Sequence, residues 1–134
     1  MSPRVFTSKA LRQQLKQEEL ANLVGDFKSY KASGFPPETF GRDAPYDDER
    51  TWPLVRQEEV SHIHLADAST VWHRNILQYR RTSNKSHLVY CKGSMHNDVF
   101  LLIILLQPDA HKMHRDPRHM EKIGLMAQAF RNRF

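Results

Sequence analysis

A chain of 134 residues, 40% of them hydrophobic, is long enough to form one domain with its own core. Its one cysteine, Cys91, excludes an intramolecular disulfide and fits a reducing cytoplasm. The longest apolar run, residues 99–106, is far shorter than the roughly 20 residues of a membrane-spanning helix. The N-terminus also lacks the apolar segment of a secretory signal. We therefore expect a single cytoplasmic domain over residues 1–134, with no membrane association.

Positive charge is concentrated in the second half of the chain. Residues 1–73 carry 9 Lys or Arg against 11 Asp or Glu, whereas residues 74–134 carry 11 against 4. This asymmetry indicates an anionic partner for the C-terminal half, and nucleic acid is the commonest such partner. Charge alone is equally compatible with a basic surface that serves only solubility.

The first third of the chain predicts a short strand followed by two helices. Residues 4–6 are the candidate strand. An apolar stripe at spacings of mostly three or four then runs from Leu11 to Tyr30, which is typical of amphipathic helices. Acidic residues just after Lys16 suit the start of a second helix, so we expect a break there. A Ser-Gly pair at 33–34, followed by two prolines, predicts the end of that helix.

The segment 35–58 predicts an irregular loop. It shows no clean hydrophobic period, and an acidic cluster lies at 47–49. A loop of this length is usually functional or packed on itself. We expect Trp52 and Pro53 to hold it against the core.

Residues 60–65 predict a strand with two distinct faces. Alternation places Ile63 and Leu65 on one face and His62 and His64 on the other. Zinc sites use histidines at such spacings, but the chain has no cluster of cysteines and no His-Glu-x-x-His motif. A His-x-His pair alone is weak evidence, so we expect no metal site.

The remaining segments predict the rest of an α+β fold. Residues 76–81 and 87–91 predict a hairpin turned at 83–86. The apolar run 99–106 predicts a central strand that is buried on both faces. Asp116 followed by proline predicts the start of a C-terminal helix. The expected fold is a twisted, mainly antiparallel sheet with the helices packed on one side.

Basic and histidine residues at the strand ends suit RNA cleavage without a metal. In that reaction the ribose 2′-OH attacks the adjacent phosphorus, which requires a base, an acid and cations. Histidine ionises near neutral pH, and arginine binds two phosphate oxygens at once. The candidates are Arg80, Arg81, His87, His111, Lys112, His114 and Arg115. Tyr79 is the best candidate to stack on an RNA base. A solvated basic rim with no catalytic role is the alternative interpretation.

Short sequence blocks connect the chain to a known family. In order, they are Phe40-Gly-Arg-Asp-Ala, Tyr46-Asp-Asp, Thr51-Trp-Pro-Leu, His62-Ile-His-Leu-Ala66, Arg81-Thr82, His87-Leu-Val-Tyr-Cys91, His111-Lys112 and a C-terminal block from Lys122 to Phe134. With these blocks the chain resembles the YafO family of bacterial type II toxins over nearly its whole length. The resemblance implies a ribosome-dependent mRNA interferase and a RelE/ParE-like fold. It also implies a cognate antitoxin similar to YafN, with the ribosome and mRNA as further partners and no cofactor.

The resemblance also implies roles for individual residues. Arg81 would bind the phosphate, and His87 or His111 would act as acid or base. Lys112 and Arg115 would position RNA or stabilise charge.

Further candidates follow from the same comparison. Glu59, next to Glu58, is a possible carboxylate base, and His114 ranks below His111 as a catalytic histidine. The chain ends in Arg-Phe and lacks the His-Tyr tail of some RelE-like toxins, so a catalytic C-terminal tyrosine is not expected.

Two other functions stay open. ParE toxins share the RelE-like fold but poison a topoisomerase, so the fold does not determine the function. A metal-dependent nuclease built on His62, His64 and a loop aspartate such as Asp47 is the third possibility.

Overall fold

The computed structural model describes residues 2–66, 81–83 and 85–134. Within these ranges the elements are β1 (Arg4–Thr7), α1 (Lys9–Gln14), α2 (Gln17–Ser33), β2 (Phe40–Pro45), α3 (Pro53–Gln57), β3 (Ser61–Leu65), β4 (His87–Lys92), β5 (Val99–Leu106), α4 (Ala110–Met113) and α5 (Pro117–Arg133). The strands of the described residues form one sheet in the order β1-β5-β4-β3-β2. The β1–β5 pair is parallel and the other pairs are antiparallel, so the sheet is mixed.

The N-terminal elements begin and end where local sequence signals predict. The Ser8 hydroxyl accepts a hydrogen bond from the Leu11 N–H and so caps α1. The Glu19 carboxylate accepts the Lys16 N–H at 2.9 Å, which starts α2 after the expected break. Gly34 ends α2 with a φ of 79°, a left-handed conformation that glycine adopts without steric cost. The predictions of a first strand, two helices and a glycine stop are confirmed.

Helices pack on both faces of the sheet, so the expectation that they lie on one side is wrong. One face is covered by α1 and α2, with a core formed by Leu11, Phe27, Phe40, Ile63, Leu88, Tyr90, Phe100, Leu102 and Leu105. The other face is covered by α3, α4 and α5, with a core that includes Val55, Val60, Val89, Leu101, Ile103, Met120, Ile123 and Ala127. Because β5 contributes to both cores, its predicted burial on both faces is confirmed. It is an interior strand, but the middle position belongs to β4.

The segment 35–58 is more regular than predicted. It contains β2, which pairs with β3, and the short helix α3. A register shift between Phe40 and Asp43 breaks the alternation of β2, which explains why the sequence shows no period of two. Trp52 does not pin this segment to the core, because it is 37% exposed and its indole N–H donates to Glu121. Val55, which is fully buried, anchors the segment instead.

The predicted hairpin between 76–81 and 87–91 is wrong in its pairing. The strand at 87–91 exists as β4, but its two neighbours are β3 and β5. Arg81 lies in no strand, and residues 76–80 lie outside the described ranges.

The prediction for the last helix is confirmed. The Asp116 side chain accepts the Arg118 N–H at 2.9 Å, and Pro117 is the first residue of α5. Among the described residues, the helices are all too short or too polar to cross a membrane.

Candidate active site

The central feature of the site is a group of three histidines on adjacent strands. His62 and His64 project from β3 onto the face of the sheet that bears α5, as the alternation predicts. His87 of β4 pairs in register with His64, and their ring centroids lie 4.3 Å apart. The His62 ring lies 4.8 Å from His87 and 5.1 Å from His64. We call His62, His64 and His87 the histidine cluster.

The main chain of Ser83 holds two of these rings in place. His87 Nε2 donates to the Ser83 carbonyl at 2.9 Å. His64 Nδ1 accepts the Ser83 N–H at 2.9 Å and also lies 2.7 Å from the Ser83 carbonyl oxygen. One tautomer of the neutral ring accepts the Ser83 N–H at Nδ1, and the other donates from Nδ1 to the Ser83 carbonyl. The main chain of Ser83 therefore lies against two rings of the histidine cluster.

The segment 81–83 is also fixed to strand β2. The Arg42 N–H donates to the Arg81 carbonyl at 2.8 Å. At Gly41 a Cβ atom would overlap the Arg81 carbonyl oxygen, so this close approach requires glycine. Arg81 is therefore positioned beside Arg42 by main-chain contacts.

Tyr46 and α4 close the site from two sides. The Tyr46 ring stacks on His62 with centroids 4.1 Å apart, and it also contacts His114 edge-on at 5.9 Å. The Asp109 side chain caps α4, which is only four residues long. That helix brings His111 and His114 together, with ring centroids 5.1 Å apart.

Burial keeps the inner histidines in their neutral form. Burial, followed by the neighbouring His87, lowers the pKa of His62 to about 2. Burial and the neighbouring His64 lower the pKa of His87 to about 4. The pKa values of His64 and His114 are also lowered, mainly by burial. At neutral pH these rings therefore carry a free lone pair and can accept a proton or bind a metal.

Several polar atoms of the site are buried and have no hydrogen-bond partner among the described residues. They are the Nδ1 atoms of His62, His87 and His114 and the Tyr46 hydroxyl. Buried polar groups normally have partners, and unpartnered ones that gather at one place indicate a site for ordered water or a ligand.

A cavity of about 640 Å³ opens above these residues. Its lining includes three arginines and three histidines, namely Arg42, Arg50, Arg115, His62, His111 and His114. Asp47, Asp48 and Tyr46 also line it. Guanidinium groups suit the binding of a phosphate, and the imidazoles suit proton transfer. The cavity can therefore bind an anion beside groups that donate and accept protons.

The structure brings some of the predicted site residues together. His111, His114 and Arg115 line the cavity, and His87 lies beneath its floor with 1% of its surface exposed. Lys112 is exposed on α4 but does not line the cavity.

Other predicted residues lie elsewhere. Arg81 does not line the cavity, and its buried Nε has no partner within the described ranges. Glu59 pairs with Arg131 at 2.9 Å, away from the cavity lining. Tyr79 and Arg80 fall outside the described residues.

The sequence patterns did not indicate three of the residues that line the cavity, Arg42, Tyr46 and Arg50. All three lie in the segment 35–58, which was predicted to be an irregular loop. Two of them belong to the blocks Gly-Arg-Asp and Tyr-Asp-Asp, which were noted only for their resemblance to a family. An arginine and a tyrosine in a long polar segment were the available signal.

The comparison with known proteins decides the family. The family described as "Toxin YafO, type II toxin-antitoxin system" matches residues 28–132, which include every residue that lines the cavity. The chain belongs to the YafO toxin family. The resemblance noted from the sequence blocks is thus confirmed, and YafO family membership in a type II system implies an antitoxin partner.

A characterised relative covers almost the whole chain. The chain is 50% identical over 131 residues to "mRNA interferase toxin YafO" from Escherichia coli (strain K12), which is 98% of this chain and 99% of the relative. No solved structure matches the chain. The α+β class is confirmed, whereas the RelE/ParE-like fold stays a prediction.

Proposed function

We propose that this chain is a cytoplasmic endoribonuclease toxin that cleaves mRNA on the ribosome through the ribose 2′-OH. The relative from Escherichia coli is named an mRNA interferase, and it aligns with almost the full chain. The observation that carries the proposal is the cavity in which Arg42 and Arg115 accompany His111 and His114. These residues come from β2 and from the region of α4, so the fold assembles them from distant parts of the sequence.

His111 and His114 provide the proton transfers. The half-buried His114 has a lowered pKa, so it is neutral at physiological pH and accepts the proton of the 2′-OH. The exposed His111 donates a proton to the departing 5′ oxygen. The bond between the 2′ oxygen and phosphorus forms as the bond from phosphorus to the 5′ oxygen breaks. The products are a 2′,3′-cyclic phosphate and a 5′-hydroxyl end.

The arginines stabilise the charge that develops on the phosphate. Arg42 and Arg115 line the cavity with the two histidines, and Arg50 also lines it. A guanidinium group binds two phosphate oxygens at once, and this bond strengthens as the phosphorane gains charge. We propose that the exposed Lys112 binds phosphates of the RNA backbone beside the cleavage site. Arg81, which lies beside Arg42, would bind them as well.

Ribosome dependence fits the size of the cavity. A volume of about 640 Å³ accommodates a ligand of one or two nucleotides, not an extended RNA segment. The cavity by itself therefore offers few contacts with which to bind mRNA tightly. A ribosome that presents the mRNA would supply the missing binding energy and the orientation.

The antitoxin partner follows from the family, and we propose that it is similar to YafN. The excess of basic residues in the C-terminal half favours an acidic antitoxin segment that covers the cavity. Covering this surface would block RNA access directly.

Primer extension on a reporter mRNA tests the proposal. Purified full-length chain should produce new 5′ ends only when ribosomes are present. Cleavage should persist with a chelator that removes transition metals but leaves the Mg²⁺ that ribosomes need. Equal cleavage of naked mRNA would contradict the ribosome dependence. The absence of cleavage on ribosomes, with growth arrest in cells, would indicate a toxin that binds another target.

A further inference from the structure

We propose that the histidine cluster binds a divalent transition-metal ion of the Zn²⁺ class at the floor of the cavity. One ring nitrogen from each of His62, His64 and His87 lies within 4.8 Å of the others. This inference goes beyond the proposed function, because neither of the two proton transfers assigned to His111 and His114 uses the ion. The ion would have three protein ligands, and its fourth coordination position would face the cavity.

The strand register supports a preformed ligand set. His64 and His87 face each other across the β3–β4 pair, and His62 lies two residues from His64 on the same face. Zinc binds imidazole nitrogen at roughly 2.0–2.1 Å, so tetrahedral ligands lie about 3.3 Å apart. The present separation of up to 4.8 Å closes by modest rotation of the rings, without movement of the strands.

The hydrogen bonds leave a ring nitrogen without a partner on two of the three histidines. His87 Nε2 donates to the Ser83 carbonyl, so its lone pair is on Nδ1. That Nδ1 is buried and has no partner in the part of the chain that the structure describes, and the same is true of His62 Nδ1. A carbonyl that orients a metal-binding histidine through its other nitrogen is the usual arrangement around zinc. His64 Nδ1 lies 2.7 Å from the Ser83 carbonyl oxygen, and in the tautomer that donates to this carbonyl the lone pair is on Nε2, the ligand atom.

The burial of the cluster explains why a ligand is needed. His64 is 8% exposed and His87 is 1% exposed, so water reaches them poorly. Three neutral imidazoles that are packed together form few hydrogen bonds with one another. Each ring has a lone pair that accepts a hydrogen bond, and few donors are nearby. A cation satisfies these lone pairs together.

Positive charge near the histidine cluster opposes the ion. Arg42 lines the same cavity as His62, so its guanidinium group would repel a bound cation. Asp48 also lines the cavity, so its carboxylate offsets part of this repulsion. The substitution Arg42→Gln should therefore strengthen metal binding.

Metal binding can be measured without RNA or ribosomes, so the test is independent of the cleavage activity. The full-length chain, without an affinity tag of histidines, is freed of metal by chelation and titrated with Zn²⁺ in a calorimeter. Co²⁺ provides a visible absorption spectrum that reports nitrogen ligands. We expect one ion per chain and a rise in Tm on Zn²⁺ addition, as for any ligand that binds only the folded state.

Variants show which residues hold the ion. His64→Gln and His87→Gln should weaken Zn²⁺ binding at least about tenfold, since each removes a direct ligand. The partly exposed His62→Gln gives the same test if the two buried variants fail to fold. The matched control is His96→Gln, which changes an exposed histidine in the turn between β4 and β5. Wild-type protein without saturable binding, or variants that bind as tightly as the control, would overturn the proposal.

Discussion

The aromatic ring of Tyr46 stacks on the imidazole of His62, with their planes 12° from parallel. This contact joins the residue after β2 to a histidine of β3 and forms one wall of the cavity. The Tyr46 hydroxyl is buried and has no hydrogen-bond partner among the described residues. The ring therefore contributes by packing, and the hydroxyl contributes little to folding.

The substitution Tyr46→Phe should leave the free energy of unfolding within about 1 kcal/mol of wild type, because no intramolecular hydrogen bond is lost. Tyr46→Ala should cost about 3–5 kcal/mol, because it removes a buried ring. Urea unfolding of both variants measures the difference. A large loss of stability in the phenylalanine variant would show that the hydroxyl has a partner.

Substitutions at two neighbouring residues of β2 should affect different properties, one the stability of the fold and the other the cleavage activity. Asp43 faces the α2 side, where it accepts hydrogen bonds from Tyr30 and Tyr90 at 2.7 Å and pairs with Lys31 at 3.1 Å. Arg42 lines the cavity on the other face. Asp43→Ala should destabilise the fold by about 3 kcal/mol, because it leaves the largely buried Lys31 ammonium unpaired.

Cleavage by the Asp43→Ala variant, measured where it is still folded, should stay close to wild type. Arg42→Ala should show the reverse, with nearly unchanged stability and reduced cleavage. Urea unfolding and primer extension on the same two preparations give both quantities. Equal losses of activity in the two folded variants would show that the faces of β2 do not act separately.

The close approach of Gly41 to the Arg81 carbonyl oxygen gives a prediction for residues 81–83. Gly41→Ala should displace residues 81–83 and destabilise the fold by about 1–3 kcal/mol, because the new methyl group overlaps a main-chain oxygen. Gly25→Ala is the matched control. Its added methyl group meets nothing within 4 Å in α2, so it should stabilise the protein by up to about 1 kcal/mol. Thermal unfolding that ranks the two variants in the opposite order would contradict the contact.

The single cysteine should be unreactive in the folded protein. Burial raises the pKa of the Cys91 thiol to about 12. Because only the thiolate reacts with alkylating reagents, almost none of the reactive form exists at pH 8. Iodoacetamide should therefore label Cys91 slowly in buffer and rapidly in urea, as followed by mass spectrometry. Fast labelling of the native protein would place the thiol at an accessible position.

The sequence predicted best what depends on neighbouring residues. The break near Lys16, the glycine stop at 34 and the start of α5 at Asp116 each follow from a few adjacent residues. The faces of β3 were also predicted, because alternation is a local pattern. Strand pairing was not, since the contact between His64 and His87 depends on a register between distant segments.

The candidate site was predicted only in part for the same reason. His111 in α4 and His114 just after it were predicted from their residue type, and both line the cavity. Arg42 and Tyr46 were missed because a register shift hides the period of β2. Their position beside the histidines results from sheet order, and no local pattern in the sequence encodes that order.

The most direct test of the account is cleavage of ribosome-bound mRNA by His111→Ala and His114→Ala, with His96→Ala as the exposed control. We expect each of the first two variants to fold and to lose about 10² to 10⁴ in single-turnover rate, while the control keeps its rate. Wild-type products should carry 5′-hydroxyl and 2′,3′-cyclic phosphate ends. Folded variants that cleave at the wild-type rate, or products with 5′-phosphate ends, would contradict the assignment of these histidines.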